Sequence, residues 1–557
     1  MDENVLRPGM QSSRSAYVML LATLFVGGGG TIGWLLLPIG APRLSFVATV
    51  KLGLEVTVLC LLLGVPSLYA AFRQPRWPGL ARFLAAVAMT SLLVPTIARS
   101  LSLSALFSFY GPLATGLRTI GLWPQGQPLD SSHLAVVIAL VTLYLPFVLL
   151  ILSESMQLLG RMPDVAATLG ASNFQTALRV TLPTLLRPIA IVGLIIFSQV
   201  LGVIITPRIL GSEDVTLAIL IDDFLKRSLD ISAALRVAWS EMALAVPLAA
   251  VAAYFIEAEL TARARPLQPA LRFRGGRILG LIPVAILLVV PFALAVLSLG
   301  RSPILDLTSV FRTGPTLNWY GKALSDTSFQ RTILPSLAVW ITAAVLSVFP
   351  ATVASIRVLP HQSLRRFLRW LGLVLLFIPQ NALGVLLFII LSLVPGIQTH
   401  LPAWLLAGAG QAIPGLAFSF LFMDRVSDRL VRSLNIAGTL GATTTQRLLR
   451  IGLPRLLPSI LICFAATALI SLDDIVFVRY VPRVSVNTFA TELFGRARYG
   501  AAPDLAAACI LMAVLVLILA GTGSVVSYAP RILRRSCSDR QESLALPAET
   551  GHIGRTA

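Results

Sequence analysis

Residues 167–183 read ATLGASNFQTALRVTLP, and residues 438–454 read GTLGATTTQRLLRIGLP. The two align without a gap at a constant spacing of 271 residues, Gly170 falling on Gly441. Ala166, Thr168, Leu169, Gly170, Ala171, Gln175, Leu178, Arg179, Leu182 and Pro183 are matched by Ala437, Thr439, Leu440, Gly441, Ala442, Gln446, Leu449, Arg450, Leu453 and Pro454. Each copy is polar and basic, yet each is embedded in sequence that is almost all Leu, Val, Ile and Ala. Local chemistry reads the same way twice. Residues 165–169 suit a short helix, and Gly170 can stop it by taking the left-handed conformation open to glycine. Ser172 or Asn173 can cap the next helix. There Phe174, Ala177, Leu178, Thr181 and Leu182 recur on one face, and Pro183 marks its expected end. The expectation is two short helices at an angle with a small-residue knuckle between them. On amphipathicity alone this could be a connector lying on lipid headgroups. A connector does not need the same knuckle, Gln, Arg and Leu-Pro in both halves, so the repetition favours docking onto a partner that comes in two copies.

The surroundings fix the medium. The chain has 557 residues, 56% hydrophobic and 12% charged, against about 45–50% and about 25% in soluble domains. Its mean hydropathy is +0.85. Lipid must cover much of such a surface. Apolar runs long enough to cross about 30 Å of hydrocarbon fall near 17–38, 46–71, 81–103, 134–156, 188–210 and 237–257, then near 278–299, 333–356, 369–394, 403–423, 457–478 and 504–527. The expected fold is an all-α membrane protein of about twelve transmembrane helices in two six-helix repeats. The third and ninth runs hold internal prolines, Pro95 and Pro379. The first run continues through Leu36 without a small-x-small cleavage site and is expected to remain as a span.

Arginines set the orientation. Those at 73, 76 and 82, at 161, 179 and 187, at 263–277, at 357–369, at 425–455 and at 531–535 all fall on one side, which the positive-inside rule makes cytoplasmic. Both termini are then cytoplasmic. Six spans separate the repeated segments, so both face the cytoplasm and the repeat is parallel. An Arg-rich, Gly- and Pro-containing linker at 262–277 joins a first repeat, 1–261, to a second, 278–530, with a polar tail at 531–557. The net charge of +19 is spread over these loops and is not gathered on a basic soluble module, so no nucleic-acid partner is expected.

The repeated segment resembles the EAA loop of ABC importer permeases, an E-A-A-x-x-x-G pattern with a later Leu-Pro. That resemblance implies a type I ABC importer permease fold, with two cytoplasmic ABC ATPase subunits gripping the loops and an extracytoplasmic substrate-binding protein delivering cargo. The loop residues it singles out are Asp164, Ala166, Gly170, Ala171, Gln175, Arg179 and Pro183, and Asn435, Ala437, Gly441, Ala442, Gln446, Arg450 and Pro454. The leading acid is Asp164 in one copy and Asn435 in the other, so any ionic contact there is one-sided. Residues 145–211 resemble the first permease of the spermidine/putrescine importer group, and 435–500, with SLDDIVFVRYVPRVSVNTFATELFGRARYG, its second. One chain would then do the work of two subunits. Related fused permeases handle ferric iron, thiamine and phosphonates. Where the polyamine pattern continues with Asp after Thr206-Pro207, this chain has Arg208.

Ionisable residues at membrane depth are costly and are candidates by default. Asp473 and Asp474 either brace a broken helix or line the path, and Glu55 and Glu241 are further translocation-path candidates. No catalytic constellation, metal-ligand spacing or disulfide framework is expected, and no cofactor. The four histidines are scattered, and no G-x-x-x-x-G-K-S/T phosphate loop occurs, so ATP hydrolysis would fall to a separate subunit. The rival expectation is an ion-gradient-driven secondary transporter, which needs neither a partner ATPase nor a repeated loop.

Overall fold

The computed structural model of the chain describes residues 27–38, 40–72, 80–109, 111–124, 127–158, 162–211, 215–261, 276–301, 312–357, 361–443, 446–481, 486–498, 502–515 and 518. Among the described residues every regular element is a helix or a turn. In the first half α1 (Ala41–Phe72) is followed by α2 (Leu80–Leu92), α3 (Thr96–Phe107), α4 (Pro112–Thr119) and α5 (His133–Leu158). The first repeated loop is α6 (Met162–Thr168) and α7 (Asn173–Thr176), joined by a π-turn at Ala177–Thr181 to α8 (Leu182–Leu201). Then come α9 (Ile205–Leu210), α10 (Leu217–Asp223) with a second π-turn at Phe224–Ser228, and α11 (Ile231–Thr261). The second half holds α12 (Gly276–Leu299), α13 (Asn318–Ser325), α14 (Thr327–Arg357), α15 (Gln362–Phe377), α16 (Gln380–Leu393), α17 (Pro395–His400) and α18 (Ala403–Thr439). A π-turn at Arg447–Gly452 leads to α19 (Leu453–Asp473), α20 (Val476–Tyr480), α21 (Phe489–Ala497) and α22 (Pro503–Leu515).

Among the described residues eight helices are long and apolar enough to cross a membrane, or ten if each of two bent pairs counts as one span. The first and last of the twelve expected runs are described only at 27–38 and at 504–515 and 518; residues 262–275 of the expected linker and the tail lie outside the described residues, while Gly276 and Arg277, expected in the linker, already belong to α12. α1 shows why lipid is the solvent. One face, with Thr49, Leu52, Val56 and Cys60, is buried in the protein, while Leu44, Val47, Leu54, Val58 and Leu62 on the other are exposed and equally apolar.

Several expected boundaries are corrected. The runs at 81–103 and 369–394 are not single helices. α2 and the segment from Thr96 meet at 97°, and α15 and α16 at 99°. Pro95 (ψ 149°) and Pro379 (ψ 137°) are both extended and stand just before the following helix, since proline lacks an N–H and its ring blocks the preceding turn. The runs at 188–210 and 457–478 stop at Leu201 and Asp473, each followed by a short separate helix. Pro183 does not end a helix. Leu182 N–H bonds back five residues to the Ala177 carbonyl, and this wider turn carries α7 into α8 without a break. Finally, the run at 403–423 is the start of a 37-residue helix, α18, that reaches Thr439 in the second loop.

The halves interlock. α12 packs on α1, α2 and α3, and α11 packs on α15. The largest cluster of buried apolar side chains runs from Leu37 to Met512 and draws on both halves. Close helix approach explains part of the four-glycine run at 27–30, since a Cβ on Gly29 would lie 2.3 Å from the Ala243 carbonyl oxygen of α11.

On the side away from the repeated loops, the π-turn at Phe224–Ser228 closes on Leu229, which has φ 54° and is 75% exposed. A left-handed non-glycine residue costs about 1–2 kcal/mol, and glycine loses part of that gain to unfolded-state entropy. Leu229→Gly is expected to stabilise the protein by about 0.5–1 kcal/mol, read as a raised unfolding midpoint in detergent. An unchanged or lowered midpoint removes strain from the account of this turn.

Candidate functional site

The two repeated loops have one geometry. α6 ends in a glycine with φ 86°, Gly170, and α18 in one with φ 84°, Gly441. In the first copy Ala171 N–H donates to the Ala166 carbonyl (3.1 Å) and Gly170 N–H to that of Ala167 (3.1 Å). In the second, Ala442 N–H donates to Ala437 (3.0 Å) and Gly441 N–H to Gly438 (3.1 Å). This paired closure satisfies the last carbonyls of a helix and requires the left-handed glycine. The next helix begins with a reciprocal cap. Ser172 N–H donates to Gln175 Oε1 (3.0 Å), and Gln175 N–H to Ser172 Oγ (3.2 Å). Thr443 and Gln446 repeat it at 3.0 and 3.3 Å. The repeated glutamine is therefore half of a capping box. An S/T-x-x-Q spacing in both copies is the sequence signal for it, and Ser172 and Thr443 are the residues that the resemblance does not single out.

What the knuckles present outward is also paired. Leu169 is 83% exposed and Leu440 82%. Gln175, Arg179, Gln446 and Arg450 are exposed, as are Pro183 and Pro454 at the foot of the following spans. Of the apolar face expected over 174–182, Phe174 (75%), Leu178 (50%) and Leu182 (39%) are exposed, and only Thr181 is buried. Asn435 is exposed on α18, while Ala437 is buried beneath the knuckle. Asp164 lies in α6, and its side chain is outside the described residues.

The acids at depth sit where helices break. Asp473 is the last residue of α19. It accepts from Thr96 N–H at both oxygens (2.9 and 3.0 Å) and from the Thr96 hydroxyl, and so caps α3 in the other half. Arg99 of α3 is buried, donating to the carbonyls of Ser91 (2.6 Å) and Thr142 (2.8 Å). Asp474 accepts from Gln411 Nε2 (2.9 Å) and from the N–H groups of Val476 and Phe477 (3.2 Å each), capping α20 within its own half.

The matching junction in the first half uses no carboxylate. Ser198 Oγ donates to the Phe377 carbonyl, Gln199 Nε2 to Leu376 (3.1 Å), and Asn381 Nδ2 to Gly202 (2.9 Å). α8 and α19 thus each end against the bend in the other half, α8 at the α15–α16 break and α19 at the α2–α3 break. Sequence reading did not find Thr96, Gln199, Asn381 or Gln411. The prolines Pro95 and Pro379 mark the breaks they serve.

The two weaker candidates differ from these. Glu241 on α11 is fully buried, and among the described residues neither carboxyl oxygen has a hydrogen-bond partner. Glu55 on α1 meets His133 Nε2 at the start of α5 and lies 3.9 Å from Lys51 Nζ, with 37% of its side chain exposed. Among the described residues no group of three or more His, Cys, Asp or Glu could hold a metal ion.

No protein-family model matches the chain. It is 28% identical over 163 residues to the spermidine/putrescine transport system permease protein PotB of Haemophilus influenzae, a match covering 29% of this chain and 56% of that protein. It is 30% identical over 171 residues to the molybdenum transport system permease protein ModB of Mycobacterium tuberculosis, covering 30% of this chain and 62% of that one. It is 25% identical over 207 residues to the permease protein PotC of the H. influenzae spermidine/putrescine system, covering 37% and 79%. The chain spans between half and two thirds of the length of the first two relatives.

Proposed function

We propose, on the premise that the chain resembles ABC importer permeases in these matches as in its paired loop, that it is the transmembrane permease of an ATP-driven importer. Two cytoplasmic ABC ATPase subunits grip the knuckles, and an extracytoplasmic substrate-binding protein delivers a small solute that moves inward by alternating access. The protein sits in the inner membrane with both termini cytoplasmic. The observation that carries this reading is the pair of knuckles, alike in closure, capping box and exposed leucine at a spacing of 271 residues. Two equal handles suit two equal partners.

The geometry also supports a means of transmission. Each π-turn welds its loop to the following span, so α7 with α8 is one rod over Phe174–Leu201, and Arg450–Asp473 is another. Their far ends hold the broken helices of the opposite half. A partner that pulls the knuckles together moves those junctions directly. Asp473, Asp474, Glu55 and Glu241 are the proposed path-side acids.

The cargo proposed first is a polyamine-like cation, after PotB and PotC. ModB adds molybdenum, and ferric iron, thiamine and phosphonate complete the panel for a thermal-shift assay on the delivering protein. Purification from the native membrane tests the whole reading. An ATPase is expected to co-purify, and uptake is expected to need ATP. Uptake that runs on an ion gradient with no ATPase overturns the proposal in favour of a secondary transporter.

A further inference from the structure

The short helices α9 and α20 carry one arginine each, Arg208 and Arg479, at the same 271-residue spacing as the knuckles. Both guanidiniums converge on α10. Arg479 Nη2 donates to the two oxygens of Asp222 (3.0 and 3.2 Å) and its Nε to Oδ1 (3.3 Å). Arg208 Nη2 donates to Asp223 and lies 3.8 Å from Asp222 Oδ2, while Arg227 Nε is 3.3 Å from Asp223. Two residues related by the repeat and reaching one carboxylate place that carboxylate close to the axis relating the halves. Asp222 is 4% exposed.

The arrangement is not itself symmetric. Counted from the capping threonines Thr216 and Thr488, the second-half counterparts of Asp222 and Asp223 are Phe494 and Gly495, and Arg479 lies 5.6 Å over the Phe494 ring. The second half therefore has no acid at these positions to hold its own arginine. Arg208–Asp223 is internal to the first half, whereas Arg479–Asp222 crosses between halves.

We propose that Asp222 and Arg479 form a latch that closes the mouth of the path on the side away from the knuckles. Opening there requires α20 to leave α10, which breaks the cross-half bridge and leaves the Arg208–Asp223 pair intact. This rests on the proposed permease function, with the path taken to run between the two halves. Its test needs neither ATPase nor cargo, so the two can fail separately.

Thr206 of α9 is 2% exposed, its hydroxyl 3.1 Å from that of Ser100. Thr206→Cys is placed in a full-length background with Cys60, Cys463, Cys509 and Cys537 changed to alanine. Labelling by a membrane-impermeant maleimide is then timed in intact membranes. Arg479→Gln is expected to speed labelling at least tenfold, whereas Arg479→Lys and Asp223→Asn stay within threefold of the parent. Should Arg479→Gln not reach the membrane, Asp222→Asn carries the same tenfold expectation. Labelling that is no faster in the charge-neutral variant, or equally fast in Asp223→Asn, overturns the latch.

Discussion

Valine at both Gly170 and Gly441 is expected to reduce ATP-driven uptake and recovery of a co-purifying ATPase at least tenfold, with the amount of protein in the membrane unchanged. The argument is conformational. A Cβ added at either glycine meets nothing within 4 Å, so no clash contributes. The whole cost lies in φ values of 86° and 84°, which an L side chain rarely adopts. Alanine pays about 1–2 kcal/mol per site, a β-branched residue more, and asparagine less. The sites share no contacts, so their effects add. Since about 1.4 kcal/mol is a factor of ten in binding, the series Gly, Asn, Ala, Val should grade partner recovery in that order. Full ATPase recovery with valine at both sites would show that the knuckles are connectors and not handles.

Asp473→Ala is expected to destabilise the protein by about 2–4 kcal/mol, seen as a lowered unfolding midpoint in detergent. The substitution strands the Thr96 N–H and hydroxyl at the bend between α2 and α3, and losing a charged acceptor there combines the cost of a lost cap with that of an unpaired buried donor. Asp473→Asn keeps one acceptor oxygen and is expected to lose about half as much. The pair of variants separates two roles. If stability and uptake fall together, Asp473 is a brace between halves. If Asn preserves the midpoint but abolishes uptake, the carboxylate meets the cargo. An alanine variant as stable as the parent defeats the brace.

The knuckles were legible because their signals are local and doubled. A left-handed stop needs glycine, and the same glycine recurs with the same neighbours. The role of Gln175 and Gln446 lay in plain view as a four-residue spacing, yet reading them as partner contacts hid the capping box. The helix breaks were half legible, since Pro95 and Pro379 sit inside apolar runs but do not say what receives the freed groups. Those partners are 377 residues away for Thr96 and Asp473, and 177 for Gln199 and Leu376. Periodicity in one run carries no information about such contacts. Pro183 misled because a proline's missing N–H ends an α-turn but is absorbed by a π-turn.

Those π-turns also set a phase. Each residue of an α-helix advances the chain by about 100°, so one extra residue in a turn rotates everything before it relative to everything after it. The two matched turns, Ala177–Thr181 and Arg447–Gly452, therefore fix the azimuth at which Leu169 and Leu440 point from their spans. The direction each handle faces is clocked by the backbone at its root, and side-chain changes on the exposed knuckle that spare Gly170 and Gly441 leave that direction untouched.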